Sequence, residues 1–272
     1  MNIFERKLQQ SVLSETPIHP IDLFHTLFHQ EGYEYLRGVQ EEILKEWHEI
    51  RDKRDIIGKL NTGAGKTLTG LLMLYSKLVE GVGPVIYACP DHQLVAQTIE
   101  QAEKYGIPVC TFSPDERYPS EFVNGEAILV CVFDKLFNGK SIFVEDSIEL
   151  GAVLLDDAHT CVARARKKST ILINNEHELY QRLISLFEED LKIQSTANYT
   201  MLISGDPLVY MRVPYWAWMN KHEQLVRLIN EYSNDDAINF EWRMICEDLL
   251  QCDCFISAKG IEISPIHVPL LS

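Results

Sequence analysis

The densest chemistry in the chain lies at residues 60–67, Leu60-Asn61-Thr62-Gly63-Ala64-Gly65-Lys66-Thr67. Gly63 and Gly65 allow a backbone turn tight enough to aim N–H groups at phosphate oxygens. Lys66 can reach the β- and γ-phosphates of a nucleotide, and the Thr67 hydroxyl suits Mg²⁺. Leu60 stands where the strict phosphate-loop pattern has Gly. The run from Thr67 to Leu74 reads as a helix start, and its N-terminal dipole adds to the anion site. Upstream, Gln40 precedes Lys66 by 26 residues (66 minus 40), room for one helix and one strand. Its amide offers the donor and acceptor that an adenine edge requires; taken alone it reads more readily as an exposed residue at a helix start, and the loop downstream reverses that preference. Arg37 either supports the same loop or is solvated.

These groups need elements to position them. Apolar residues Ile43, Leu44, Trp47 and Ile50 recur at helical spacing and predict a helix over 41–54. Residues 55–60 are expected to form the first strand and to feed the loop. Residues 84–90, 109–112 and 127–132 predict three more strands, and a helix opens at 91–97 and runs to Tyr105. Ala152-Val153-Leu154-Leu155 predicts a fifth strand, with the two acids of Asp156-Asp157-Ala158-His159 at its tip. Apolar runs without polar alternation suit strands buried on both faces, and their alternation with helices predicts a parallel sheet in a doubly wound α/β domain. Ligands of such sheets bind at the carboxyl ends of the strands, where every residue singled out so far falls.

Composition bounds the function. The 272 residues are 46% hydrophobic, enough for one large core or a domain with an insertion. A net charge of −15 means that phosphates must meet a local basic strip. Seven cysteines, an odd number in mostly apolar runs, read as buried free thiols of a reducing compartment, so a cytoplasmic location is expected. No apolar run of membrane-spanning length occurs and no signal peptide is recognisable, so no membrane association is expected.

With these motifs in order, residues 33–160 resemble the first RecA-like domain of a superfamily 2 helicase of the DEAD/DEAH type. The matching stretches are Leu36 to Gln40, Asn61 to Thr67, Cys89-Pro90 to Gln97, Val132 to Leu136 and Asp156 to His159. The resemblance implies a P-loop, three-layer α/β domain with a mainly parallel sheet, ATP and Mg²⁺ as cofactors, and nucleic acid as partner, DNA favoured over RNA. It implies that Arg37, Gln40, Thr62, Gly63, Ala64, Gly65, Lys66 and Thr67 bind the nucleotide, with Gln40 on adenine. Thr67 and Asp156 would hold the metal. Asp157 takes the place of the family's Glu, which orients and deprotonates the attacking water, while His159 would link the nucleotide and strand sites or be a solvated cap. Pro90, His92, Gln93, Gln97, Phe133 and Lys135 fall in the strand-contacting motifs, which position a backbone without reading its sequence. His92 replaces an Arg there. Asp157 is one methylene shorter than Glu, and a misplacement of about an ångström costs a factor on the order of 10² in rate.

Beyond His159 the pattern weakens. Residues 161–260 are expected to form a mostly helical insertion that meets nucleic acid or a protein partner, and 261–272 to lead back towards the sheet. Within the insertion, Arg164 to Lys168 is either a phosphate contact or a solvated helix face, and Val213 to Met219 either a packed aromatic cluster or a stacking surface. Nothing matches the family's Ser-Ala-Thr motif, and Ser204-Gly205-Asp206-Pro207 is a poor substitute. Residues 1–32 read as a lead-in. The chain is expected to be the N-terminal motor domain of a longer ATP-dependent helicase or translocase, without the second RecA-like domain and its arginine finger, and so weak in isolation. Some bacterial helicases of this layout belong to phage-defence systems, an association carried by the resemblance alone. Two other readings compete: a P-loop switch or scaffold that binds nucleotide without unwinding, and a P-loop kinase or small-molecule ATPase, against which Gln40 and the Asp-Asp-Ala-His box argue.

Overall fold

Apolar runs become strands only where a neighbour completes the backbone ladder. In the computed structural model, which describes residues 17–61, 63–137, 141–236 and 238–267, four of the five expected strands of the first sheet find such neighbours. The chain forms two compact units. The first comprises 1–133 with 148–157, and the second 134–147 with 158–272.

In the first unit the elements include α1 (Pro20–Thr26), α2 (Gly38–Ile50), α3 (Lys66–Glu80), β1 (Val85–Cys89), α4 (His92–Lys104), β2 (Val109–Cys110), β3 (Ile128–Val132) and β4 (Ala152–Leu155). The strands run parallel in the order β2-β3-β1-β4. Val85, Tyr87 and Cys89 face α3 and α4, where they share one core with Leu68, Leu71, Leu72, Ile128 and Val130. Ile86, Ala88 and Leu129, on the opposite face, are buried too, as the unbroken apolar runs require. The lead-in joins this unit: Leu23 and Phe24 of α1 are fully buried and α1 packs on α3, each burial stabilising by about 1.5–3 kcal/mol.

The expected strand over 55–60 does not form. These residues have no regular structure, and Ile57 is 95% exposed. Among the described residues β4 pairs with β1 alone, and no strand stands beside 55–60 to take up its N–H and C=O groups. Gly58 weakens the segment further. The phosphate loop is therefore fed by an irregular segment.

The second unit contains α5 (Ala158–Lys168), β5 (Ile171–Asn174), α6 (Glu178–Ile203), β6 (Tyr210–Arg212), α7 (Tyr215–Asn220), α8 (His222–Asn230), α9 (Asn239–Ile245), β7 (Cys252–Ser257) and β8 (Gly260–Pro265). It is helical over much of its length and also builds a sheet of its own, antiparallel, in the order β5-β8-β7-β6. The residues of β7 alternate buried and half-buried, the two-residue period of a strand with one face on a core. That sheet corrects the fate expected for 261–272. Gly260–Pro265 pairs with β7 and β5 rather than with the parallel sheet, and residues 268–272 lie outside the described residues. Helix α6 supplies Leu179, Leu183, Ile184, Phe187 and Leu191 to the core and is broken at Ser195. Trp218 stacks on Phe187 with ring centroids 5.9 Å apart and donates from Nε1 to the Leu249 carbonyl at 2.8 Å, so this part of the aromatic run is core.

Candidate functional site

Gly63 and Gly65 carry φ of +82° and +83°, the left-handed conformation that side chains disfavour. They turn the chain so that Lys66 and Thr67 open α3, with Gly65 as its N-cap. The turn is held from behind. Arg37 Nη1 donates to the Gly63 carbonyl at 2.6 Å and Gln40 Nε2 to the Gly65 carbonyl at 3.3 Å. Gln40 Oε1 accepts from the Arg37 backbone N–H at 2.9 Å, and Thr69 Oγ1 donates to Gly65 at 3.1 Å. Gln40 is 4% exposed; it is a buried brace between α2 and the loop, not an exposed residue at a helix start. A Cβ on Gly65 would lie 2.1 Å from Gln40 Nε2, whereas one on Gly63 would meet nothing within 4 Å. Ala64 is half-buried in the same turn, and Thr62 lies outside the described residues.

The acidic pair sits at the carboxyl end of β4. The Asp156 N–H donates to the Ala88 carbonyl at 2.9 Å, which extends the β1–β4 ladder to the carboxylate. The Asp157 backbone N–H donates to Asp156 Oδ1 at 3.0 Å. Asp157 is exposed with φ of +46°, a conformation Asp tolerates better than most residues. Burial pushes the Asp156 carboxyl above the usual carboxylate range. The Asp157 N–H, the Tyr87 hydroxyl and the Lys66 charge pull it down, and the Asp157 charge pushes it up. Lys66 and Asp156 are thus close enough to interact electrically. The two sequence motifs converge on one place.

Sequence reasoning missed two residues there. Thr69 braces the loop carbonyl, and Tyr87 of β1 lies beside both Thr67 and Asp156. A hydroxyl-bearing aromatic inside an aliphatic strand was the only signal for Tyr87, and it reads as core until the strand register is known.

The donor set suits magnesium. Thr67 and Asp156 both present oxygen, the ligand that a hard cation prefers, and Lys66 balances charge. Among the described residues no group of three His, Cys, Asp or Glu side chains forms a transition-metal site.

The strand-contacting set divides. His92, Gln93 and Gln97 are exposed along α4, which Asp91 caps by accepting from the Leu94 N–H at 2.9 Å. Pro90 and Phe133 are buried, Phe133 at 3% exposure. Lys135 and His159 are exposed and belong to the second unit. In that unit Arg164 Nη1 of the basic run pairs with Asp134 Oδ2 at 3.6 Å. Among the described residues no helix is long and apolar enough to cross a membrane.

Comparison with curated proteins gives no match, and comparison with solved structures gives none. Comparison with protein families does: DEAD/DEAH box helicase matches residues 37–198, more than half of the chain. The match begins at the arginine that braces the loop, takes in the glycine turn and the acidic pair, and continues into α6. The chain belongs to the DEAD/DEAH box helicase family.

Proposed function

We propose that this chain is the N-terminal motor domain of an ATP-dependent nucleic-acid helicase or translocase, with ATP and Mg²⁺ bound where α3 meets the end of β4. The observation that carries this reading is the convergence of Lys66 and Thr67 with Asp156 at the carboxyl end of the parallel sheet. Lys66 would meet the β- and γ-phosphates, the N–H groups of the turn would cradle them, and Thr67 with Asp156 would hold the metal. Magnesium bound there supplies charge neutralisation at the transferred phosphate. Gln40 keeps one amide hydrogen for an adenine edge while bracing the loop. Asp157 would orient the attacking water. Exposed His92, Gln93, Gln97 and Lys135 would contact one strand's backbone, with DNA favoured.

One observation favours a second reading. Asp157 is short and exposed, which suits a slow hydrolase acting as a nucleotide-controlled switch. Steady-state ATP hydrolysis with and without single-stranded DNA separates the two. A motor domain shows stimulation by DNA that Lys66→Ala removes together with tight ATP–Mg²⁺ binding. Unchanged nucleotide affinity in Lys66→Ala would refute the site, and nucleotide binding insensitive to DNA would favour the switch.

A further inference from the structure

Tyr87 lies where three separate placements meet. The ladder sets Tyr87 opposite Leu154. Asp156 follows two residues later and so faces the same side of the sheet. On α3, Thr67 and Gly70 are three apart and share one face. A Cβ on Gly70 would come within 2.8 Å of Leu154 Cδ1 and 3.1 Å of Tyr87 Cε2. The absent side chain at 70 therefore lets the helix settle on the tyrosine ring. The ring is 1% exposed, and its hydroxyl is electrically coupled to the Thr67 side chain and to the Asp156 carboxylate.

We infer that Tyr87 is a positioning residue of the magnesium–nucleotide site: its buried hydroxyl accepts from Thr67 and donates to Asp156, holding the two oxygen ligands in mutual register. The inference rests on the proposed function and deepens it. Both bonds leave metal-binding capacity intact. Thr67 gives up its proton and keeps its oxygen lone pairs, while Asp156 accepts on one oxygen and keeps the other. Partners of this kind orient a ligand without touching the ion, and their loss typically costs about 10–100-fold in metal affinity. A tyrosine that merely filled the core would need its ring but not its oxygen.

The test is Tyr87→Phe in the full chain, which keeps the ring against Gly70 and removes the hydroxyl. A fluorescent ATP analogue is titrated in EDTA and then across a range of Mg²⁺ concentrations, with thermal unfolding as a check on folding. We expect affinity in EDTA to stay within about 2-fold, and the Mg²⁺ concentration for half-maximal binding to rise about 10-fold or more. Gly70→Ala displaces the ring without removing the hydroxyl and should raise the Mg²⁺ requirement in the same direction. An unchanged Mg²⁺ requirement in Tyr87→Phe, or an equal loss of affinity in EDTA, overturns the inference and leaves the nucleotide site standing. Wild-type binding that ignores Mg²⁺ overturns the site itself, and this inference with it.

Discussion

Replacing Gly65 by Ala separates two costs that sequence alone would merge. Gly65 and Gly63 have nearly the same φ, +83° and +82°, so alanine at either pays a similar left-handed penalty of about 1–2 kcal/mol. Their surroundings differ. The Gly65 Cβ would stand 2.1 Å from Gln40 Nε2, and the Gly63 Cβ in open space. Gln40 must then leave, losing its bonds to the Gly65 carbonyl and the Arg37 N–H, each contributing about 0.5–1.5 kcal/mol. Gly63→Ala should therefore cost about 1–2 kcal/mol and Gly65→Ala about 2–5 kcal/mol. In a Gln40→Ala background the clash disappears, and Gly65→Ala should cost no more than Gly63→Ala. Native-state hydrogen exchange of the β1 amides, in a strand buried throughout, reads the stability of this unit alone. Equal costs for the two glycines, or a Gly65→Ala cost that Gln40→Ala leaves unchanged, would refute the bracing role of Gln40.

Asp157→Glu lengthens the side chain that would hold the attacking water but puts Glu at φ of +46°; steady-state hydrolysis should rise or hold while the melting temperature drops slightly, and a fall in rate on the order of 10², the scale of a misplaced carboxylate, counts against the water-orienting role. Trp218→Phe strands the Leu249 carbonyl that Nε1 now satisfies, so hydrogen exchange in β7 should report a loss of about 1–3 kcal/mol; no change would mean that the carbonyl finds another donor. Burial first, then the charges of His19 and Arg51, hold His48 below the usual imidazole range. The unfolded chain thus takes up a proton that the folded chain resists, and stability falls as pH drops through the unfolded value of about 6.5. His48→Gln should flatten the melting-temperature difference between neutral and mildly acidic solution, and an identical slope in the variant would remove His48 from the account.

Most of the parallel sheet was legible because Val85 to Cys89 and Ile128 to Val132 are unbroken apolar runs that any burial demands. Residues 55–60 misled for the same reason. Their apolar content resembles a strand, but a strand also needs an edge to pair with, and sequence does not say where edges lie. Phe255 to Ser257 and Ile261 to Ile263 carry the pattern of short strands, whereas β5, the partner of β8, does not announce itself, because pairing across the unit leaves no local pattern. At the site, the turn and the acids were legible from residue type. Gln40's engagement with Gly65, the burial of Phe133 and the placement of Tyr87 were not, since each depends on register or on a neighbour far along the chain.

The pairing of Ile171 with Ile263 has a consequence for biogenesis. Strand β5 leaves the ribosome some 92 residues (263 minus 171) ahead of the segment that zips onto it. At about 5–20 residues per second that interval is roughly 5–18 s. Through it Ile171 and Ile173, both buried at the end, stay uncovered on an unsealed ladder. Synthesis stalled before Gly260 would leave a sticky ribbon that invites chaperones or aggregation.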